Sequence, residues 1–114
     1  MRSNQSGLLG STVKYAVSDE AKRYTMLDNF FEQTPRGNFQ YERVLSPRGD
    51  DQSAPKLKIS VSKDFSELTI NAVTQSGLRK IDLYKKDDRQ EAREFAEYVL
   101  DDLVEQGVLV KAEA

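Results

Sequence analysis

The sequence predicts an α+β fold, mostly antiparallel, with one long helix near the C-terminal end packed on a β-sheet. Three observations predict it. Period-two alternation of apolar and polar residues recurs in several short, separated runs. One long stretch alone has helical periodicity, and it follows the strands instead of alternating with them. With 114 residues, 38% of them hydrophobic and 32% charged, the chain can close one core and no more. Residues 1–11 therefore read as a flexible N-terminal arm, loose or docked at an edge, and 12–114 as a single domain.

The first strand is Thr12 to Val17, where Val13, Tyr15 and Val17 share a face. Ser18-Asp19-Glu20-Ala21-Lys22 has the form of a cap followed by one helical turn. Asp28 to Glu32 fits either a short strand or the end of a short helix begun near Ser18. Thr34-Pro35-Arg36-Gly37-Asn38 is a turn, with Pro presetting one dihedral and Gly supplying the left-handed one. Asn38 to Leu45 alternates again, placing Phe39, Tyr41 and Arg43 on one side. Ser46 to Pro55, with two prolines, a glycine and two aspartates, is a loop.

Leu57, Ile59 and Val61 then alternate with Lys58, Ser60 and Ser62. A turn at Lys63 to Glu67 leads to Leu68, Ile70 and Ala72, and a second turn at Thr74 to Gly77 leads to Leu78 through Tyr84. Three strands joined by short turns make an antiparallel meander. Asp88 with Glu91 has capping-box spacing. Ala92, Phe95, Ala96, Val99 and Leu103 follow at helical spacing, and Gly107 stops the helix. Val108-Leu109-Val110 suits a last strand. The apolar stripe must bury, so Phe95, Val99 and Leu103 are expected against Ile59, Ile70 and Ile81.

Composition narrows the chemistry. Cysteine and histidine are both absent, which excludes disulfides, thiolate nucleophiles, zinc thiolates and every imidazole relay. No calcium-loop spacing occurs, so no metal is expected, and no phosphate-cradling glycine motif with a lysine in register points to a nucleotide cofactor. Seventeen Lys and Arg against nineteen Asp and Glu leave a net charge of −2, which argues against nucleic acid as a partner. No apolar run reaches signal-peptide or membrane-spanning length, so the chain reads as a cytoplasmic protein that does not bind membranes. The sequence carries no signature of oligomeric state.

Two polar features remain. From Asp87 to Glu105 there are eight acids and two bases, giving the helix an acidic outer face that is either solvated or a docking surface for a basic partner. Lys22, Arg23, Arg36, Arg43, Arg48, Arg79 and Lys80 cluster around loops, with Tyr24, Tyr41 and Tyr84 nearby in sequence. Arginine forks bind carboxylates and phosphates at two points. If alternation is strict, Arg43 faces the core side or its edge, where a charge must be paired; it is read either as an internal ion pair or a solvent-reaching arginine, or as an anion contact in a pocket. The candidate ligand-binding residues are Arg23, Arg43 and Arg79 with Tyr24 and Tyr41, and no catalytic residue is assigned.

The runs Lys22-Arg23-Tyr24-Thr25-Met26-Leu27-Asp28-Asn29, Gly37-Asn38-Phe39-Gln40-Tyr41-Glu42-Arg43 and Gly77-Leu78-Arg79-Lys80-Ile81 resemble an uncharacterised domain-of-unknown-function family of lactic acid bacteria. The likeness covers nearly the whole chain after the N-terminal arm, and none of its segments is a catalytic signature. It implies two mostly antiparallel β-sheets packed against one long C-terminal helix, a role in amino-acid metabolism, and a distant structural likeness to bacterial S-adenosylmethionine decarboxylases. Those enzymes cleave themselves at a Glu-Ser bond with help from His and Cys. This chain has Ser66-Glu67, the reverse order, and neither His nor Cys. Any such kinship is one of architecture. The resulting expectation is a non-catalytic protein that binds a small anionic metabolite or a partner enzyme. The alternatives are an interaction module using the acidic helix face, and an enzyme using carboxylate, Lys or Tyr chemistry.

Overall fold

The computed structural model describes residues 4–8, 13–45, 55–74, 79–80 and 90–112. Two antiparallel sheets and a C-terminal helix build the fold. The elements run β1 (Lys14–Val17), α1 (Arg23–Asp28), β2 (Glu32–Gln33), β3 (Phe39–Val44), β4 (Lys56–Val61), β5 (Leu68–Val73), α2 (Gln90–Glu105) and β6 (Leu109–Ala112). The larger sheet has the order β2-β3-β4-β5, all antiparallel, so this part of the chain is a meander of neighbouring strands. The smaller sheet pairs β1 with β6, with Val17 opposite Leu109 and Lys14 opposite Ala112.

Alternation decides the inner faces. In β4, Leu57, Ile59 and Val61 are buried, and across the ladder Ile59 lies opposite Ile70 of β5 and Tyr41 of β3. From α2 the buried residues are Ala92, Ala96, Val99, Leu100 and Leu103. These side chains, with Tyr15 and Val17 of β1 and Leu109 of β6, form one hydrophobic cluster, and Phe95 packs against it half-buried. Each fully buried Leu, Ile or Val contributes about 1.5–3 kcal/mol, so this shared cluster holds both sheets to the helix. Val99 and Leu103 join Ile59 and Ile70 there as expected; Ile81 lies outside the described residues. So do the 46–54 loop, most of the third meander strand and the Asp88 cap, although a bridge from Val73 to Lys80 marks where that strand begins its return.

Residues 4–8, part of the segment expected to be a flexible arm, lie along a sheet edge. The Asn4 side-chain amide donates to the Leu68 carbonyl and its oxygen accepts from the Leu68 N–H, both at 2.9 Å. Ser6 Oγ accepts from Ile70 N–H, while the Ser6 backbone pairs both ways with Tyr15 of β1. The arm thus bonds to both sheets and occupies part of the outer edge of β5, which would otherwise present unpaired backbone groups.

The two helices end in the same way. In α2, Val108 N–H reaches back to the Leu103 carbonyl around Gly107 at φ +84°. In α1, Phe31 N–H reaches back to the Met26 carbonyl around Phe30 at φ +71°. Both bonds span five residues, the mark of a left-handed cap. Glycine takes that conformation without steric cost; Phe30 takes it with strain, and its side chain is 83% exposed. The helix expected from Ser18 begins later, at Arg23, because Ser18 Oγ and its carbonyl accept from Glu20 and Ala21 N–H and so make a separate turn.

Candidate functional site

Arg23 opens α1 and points its guanidinium across to β2, where Nε donates to Gln33 Oε1 at 2.9 Å. The Gln33 amide in turn donates to the Gly37 carbonyl at 3.1 Å. The side chain is therefore held by the β2–β3 hairpin, and its two terminal nitrogens still have donors to offer. Next to it runs an open groove of about 520 Å³ lined by Lys22, Arg23, Gln33, Lys63 and Asp64, with Phe39 and Phe65 as its aromatic wall. The β3–β4 register sets this juxtaposition. Phe39 lies opposite Val61, so the turn after β4 comes back beside Gly37 and Asn38. Lys63 N–H donates to Asn38 Oδ1 at 2.9 Å, and the Lys63 stem lies over Gly37, where an added Cβ would sit 3.0 Å from Lys63 Cδ. Gly37 also has φ +94°, the left-handed region that favours glycine there.

The groove has an electrostatic surplus. Three cations, Lys22, Arg23 and Lys63, line it against one carboxylate, Asp64. That carboxylate is engaged within its own turn: Ser66 Oγ donates to it at 2.6 Å, Ser62 Oγ at 2.8 Å and Ser66 N–H at 3.1 Å. These bonds, the Ser66 side chain first, hold its pKa at about 2, below the ordinary 3.8. Phe65 occupies the left-handed region at φ +64° within this turn, and its ring stands 5.4 Å from that of Phe39.

The other candidate residues are elsewhere. Arg43 lies on the same face of β3 as Phe39 and Tyr41, but near the strand's end it is exposed and reaches solvent, with an aromatic ring beside it. The guanidinium carbon sits 5.0 Å from the centroid of the Phe95 ring, which itself stacks on Tyr98. Arg43 is four residues along β3 from Phe39, about 13 Å from the groove's aromatic wall. Arg79 is exposed beyond the end of β5, where its carbonyl accepts from Thr74 N–H. Three strand spacings, about 14 Å, separate it from Arg43. The three arginines thus occupy three places. Tyr41 is a core residue packed on Phe31 with ring centroids 5.2 Å apart. Tyr24 is 64% exposed and belongs, with Leu27 and Phe30, to the exposed apolar residues around α1. Arg36 is exposed; Arg48 and Tyr84 lie outside the described residues, as do Asp50, Asp51, Asp87 and Asp88.

Lys63, Phe39 and Phe65 are groove residues that the sequence reading did not single out. Lys63 sits in a turn 40 residues from Arg23 in sequence, and strand register alone brings the two together. Among the described residues no group of three or more acidic side chains could hold a metal ion, and no helix is long and apolar enough to cross a membrane.

Comparison with known proteins agrees with this architecture. The crystal structure of a DUF1831 family protein from Lactobacillus plantarum superimposes with a TM-score of 0.86 over 97% of each chain, at 32% sequence identity. None of the curated proteins matches the chain. The family model for DUF1831, described as "Putative amino acid metabolism", matches residues 2–110, the N-terminal arm included. With the larger sheet, the helix and the groove-lining segments inside that match, the chain belongs to the DUF1831 family.

Proposed function

We propose that this protein is a cytoplasmic, non-catalytic binding protein of amino-acid metabolism that holds a small carboxylate-bearing metabolite in the Arg23 groove. The observation that supports this reading is the charge surplus: three cations face one carboxylate already held by Ser62 and Ser66. A ligand carboxylate takes the remaining Nη1/Nη2 edge of the Arg23 fork, since Gln33 holds Nε and thereby the plane of the guanidinium. Lys63 supplies a second positive point, and the rings of Phe39 and Phe65 receive the ligand's carbon skeleton. The family description supports a metabolite of that class. Ser66, adjacent to Glu67, uses its hydroxyl in the Asp64 turn, which supports a structural role for it instead of a part in self-cleavage.

The test is a thermal-shift titration of the full chain with glutarate and other small carboxylates. A ligand at 100 times its Kd adds about 2.7 kcal/mol of stability. The expected result is stabilisation that Arg23→Gln and Lys63→Gln each remove while leaving the unliganded melt unchanged, and that Arg43→Met preserves. Stabilisation that survives the Arg23→Gln, Lys63→Gln double variant would put the ligand elsewhere and overturn the assignment.

A further inference from the structure

The outer face of α1 is apolar and bare. Met26 is fully buried, so the opposite side of the helix, about half a turn round, carries Tyr24 and Asp28. Leu27 stands beside them, and Phe30 follows just past the helix end. Tyr24 is 64%, Leu27 40% and Phe30 83% exposed. The turn that carries Phe30 is pinned. Asn29 and Phe31 N–H both reach the Met26 carbonyl, at 3.0 and 3.1 Å, and the Asn29 amide donates to the Thr25 carbonyl at 2.8 Å. This turn holds residue 30 at φ +71°, and the chain places an aromatic ring there. In a single copy that ring brings backbone strain and exposed apolar area without a compensating contact, a combination that marks functional surfaces.

We propose that this face is a two-fold contact with a second copy of the chain, in which the two α1 helices lie antiparallel. Charge chooses the occupant. Lys22 and Arg23 stand at the start of α1, Asp28 ends it, and Glu32 lies just beyond. No acid lies in its first turn and no base in its last, so these charges oppose the helix dipole at both ends. Among the described residues, Lys22, Asp28 and Glu32 form no ion pair. A second α1 laid antiparallel across the first reverses this. The acidic end of each copy meets the basic, dipole-positive start of the other, with the apolar residues between them. A partner surface of one sign satisfies only one end: anionic lipid attracts Lys22 and repels Asp28 and Glu32. Area agrees with a second copy. At about 200 Å² for a whole aromatic side chain, Tyr24, Leu27 and Phe30 uncover about 350 Å². Interfaces are about 57% non-polar, so a contact centred here covers about 600 Å² a side, or about 1,200 Å² in all. That reaches the lower end of stable interfaces and sets the expectation of a weak, reversible dimer. The contact is compatible with the groove: Lys22 supplies its basic side, while Arg23 stays on Gln33.

The experiment is sedimentation equilibrium of the full chain from about 10 μM to about 1 mM, with amide-resonance NMR on dilution over the same range. The expected result is monomer at the low end and dimer at the high end, with dilution shifts centred on residues 22–32. Phe30→Gly should weaken dimerisation at least about tenfold while the dilute monomer melts no lower than wild type, which separates a contact role from a folding role. Lys22→Glu and Asp28→Lys should each weaken it as much, because every substitution enters a two-fold contact twice. An equimolar mixture of those two variants should associate again, since the mixed dimer restores opposite charges at both ends. A mixture that stays monomeric would overturn the antiparallel arrangement. A chain that is monomeric at about 1 mM, or a dimer indifferent to Phe30→Gly and Asp28→Lys, would overturn the proposal itself. Binding of the chain to phosphatidylglycerol vesicles without self-association would overturn it in favour of a lipid surface.

Discussion

Arg43 and Phe95 can be tested by a double-mutant cycle of Arg43→Met and Phe95→Leu. Methionine keeps the unbranched stem and removes the charge; leucine keeps apolar volume and removes the ring. The guanidinium carbon lies 5.0 Å from the ring centroid, inside the range in which the quadrupole attracts a cation. Arg43 is exposed and Phe95 half-buried, so the coupling belongs at the solvated end of the scale, about 0.5–1 kcal/mol. Phe95→Leu alone costs more, because its stacking on Tyr98 is lost too. The cycle isolates the cation–ring term from that loss. For a chain of this length the unfolding entropy is about 240 cal/mol/K, so the coupling corresponds to about 2–4 °C in Tm. Urea melts at constant m-value are the assay, with Arg79→Met as a control expected within about 0.5 kcal/mol of wild type. A coupling free energy indistinguishable from zero would refute the pairing and leave Arg43 a solvated surface charge.

Phe30→Gly should stabilise the protein. It relieves about 1–2 kcal/mol of left-handed strain at the end of α1 and gives back about 0.5–1 kcal/mol in chain entropy, for a net gain of about 0.5–1 kcal/mol by thermal melt. A loss of stability instead would show that the exposed ring has a packing role. Asp64 should make stability pH-dependent in a narrow acid window. Its pKa is held at about 2 in the folded chain and returns to about 3.8 on unfolding. Between those values the unfolded chain binds a proton that the folded one does not, so the contribution of the turn is complete above 3.8, declines as pH falls, and is gone below about 2. Asp64→Asn should melt lower than wild type at neutral pH and converge with it as the pH falls; a carboxyl NMR titration midpoint near 3.8 would contradict the hydrogen bonding described.

Strands β3, β4 and β5 of the larger sheet were legible because each buries one face, so Leu57, Ile59 and Val61 announce both strand and orientation; the two exposed residues of β2 gave no such signal. The α2 stripe and its Gly107 stop were legible for the same kind of reason. The β1–β6 pairing was not, since nothing in Lys14–Val17 specifies a partner about 90 residues away. The end of α1 carried no stop signal because a phenylalanine fills the position glycine usually holds. At the site, Arg23 was recognisable as an anion-binding side chain, but its companion Lys63 depends on the Phe39–Val61 register. Arg43 shows where alternation stops deciding: it shares a strand face with Phe39 and Tyr41, yet it reaches solvent, one of the outcomes the sequence allowed, while the Phe95 ring beneath its guanidinium could not be foreseen from β3 alone.

The β1–β6 ribbon has a kinetic consequence. The β4–β5 hairpin closes a loop of six residues, Ser62 to Glu67, whereas the ribbon joins segments about 90 residues apart. Loop-closure entropy makes the second event costlier by about 2 kcal/mol, and its reward arrives only when both segments are present. The meander can therefore assemble early from local contacts, while the ribbon, the docked arm and their packing on α2 come last. Until then Tyr15, Val17 and Leu109 are uncovered, and the span between collapse of the meander and closure of the ribbon is when this chain is most exposed to self-association.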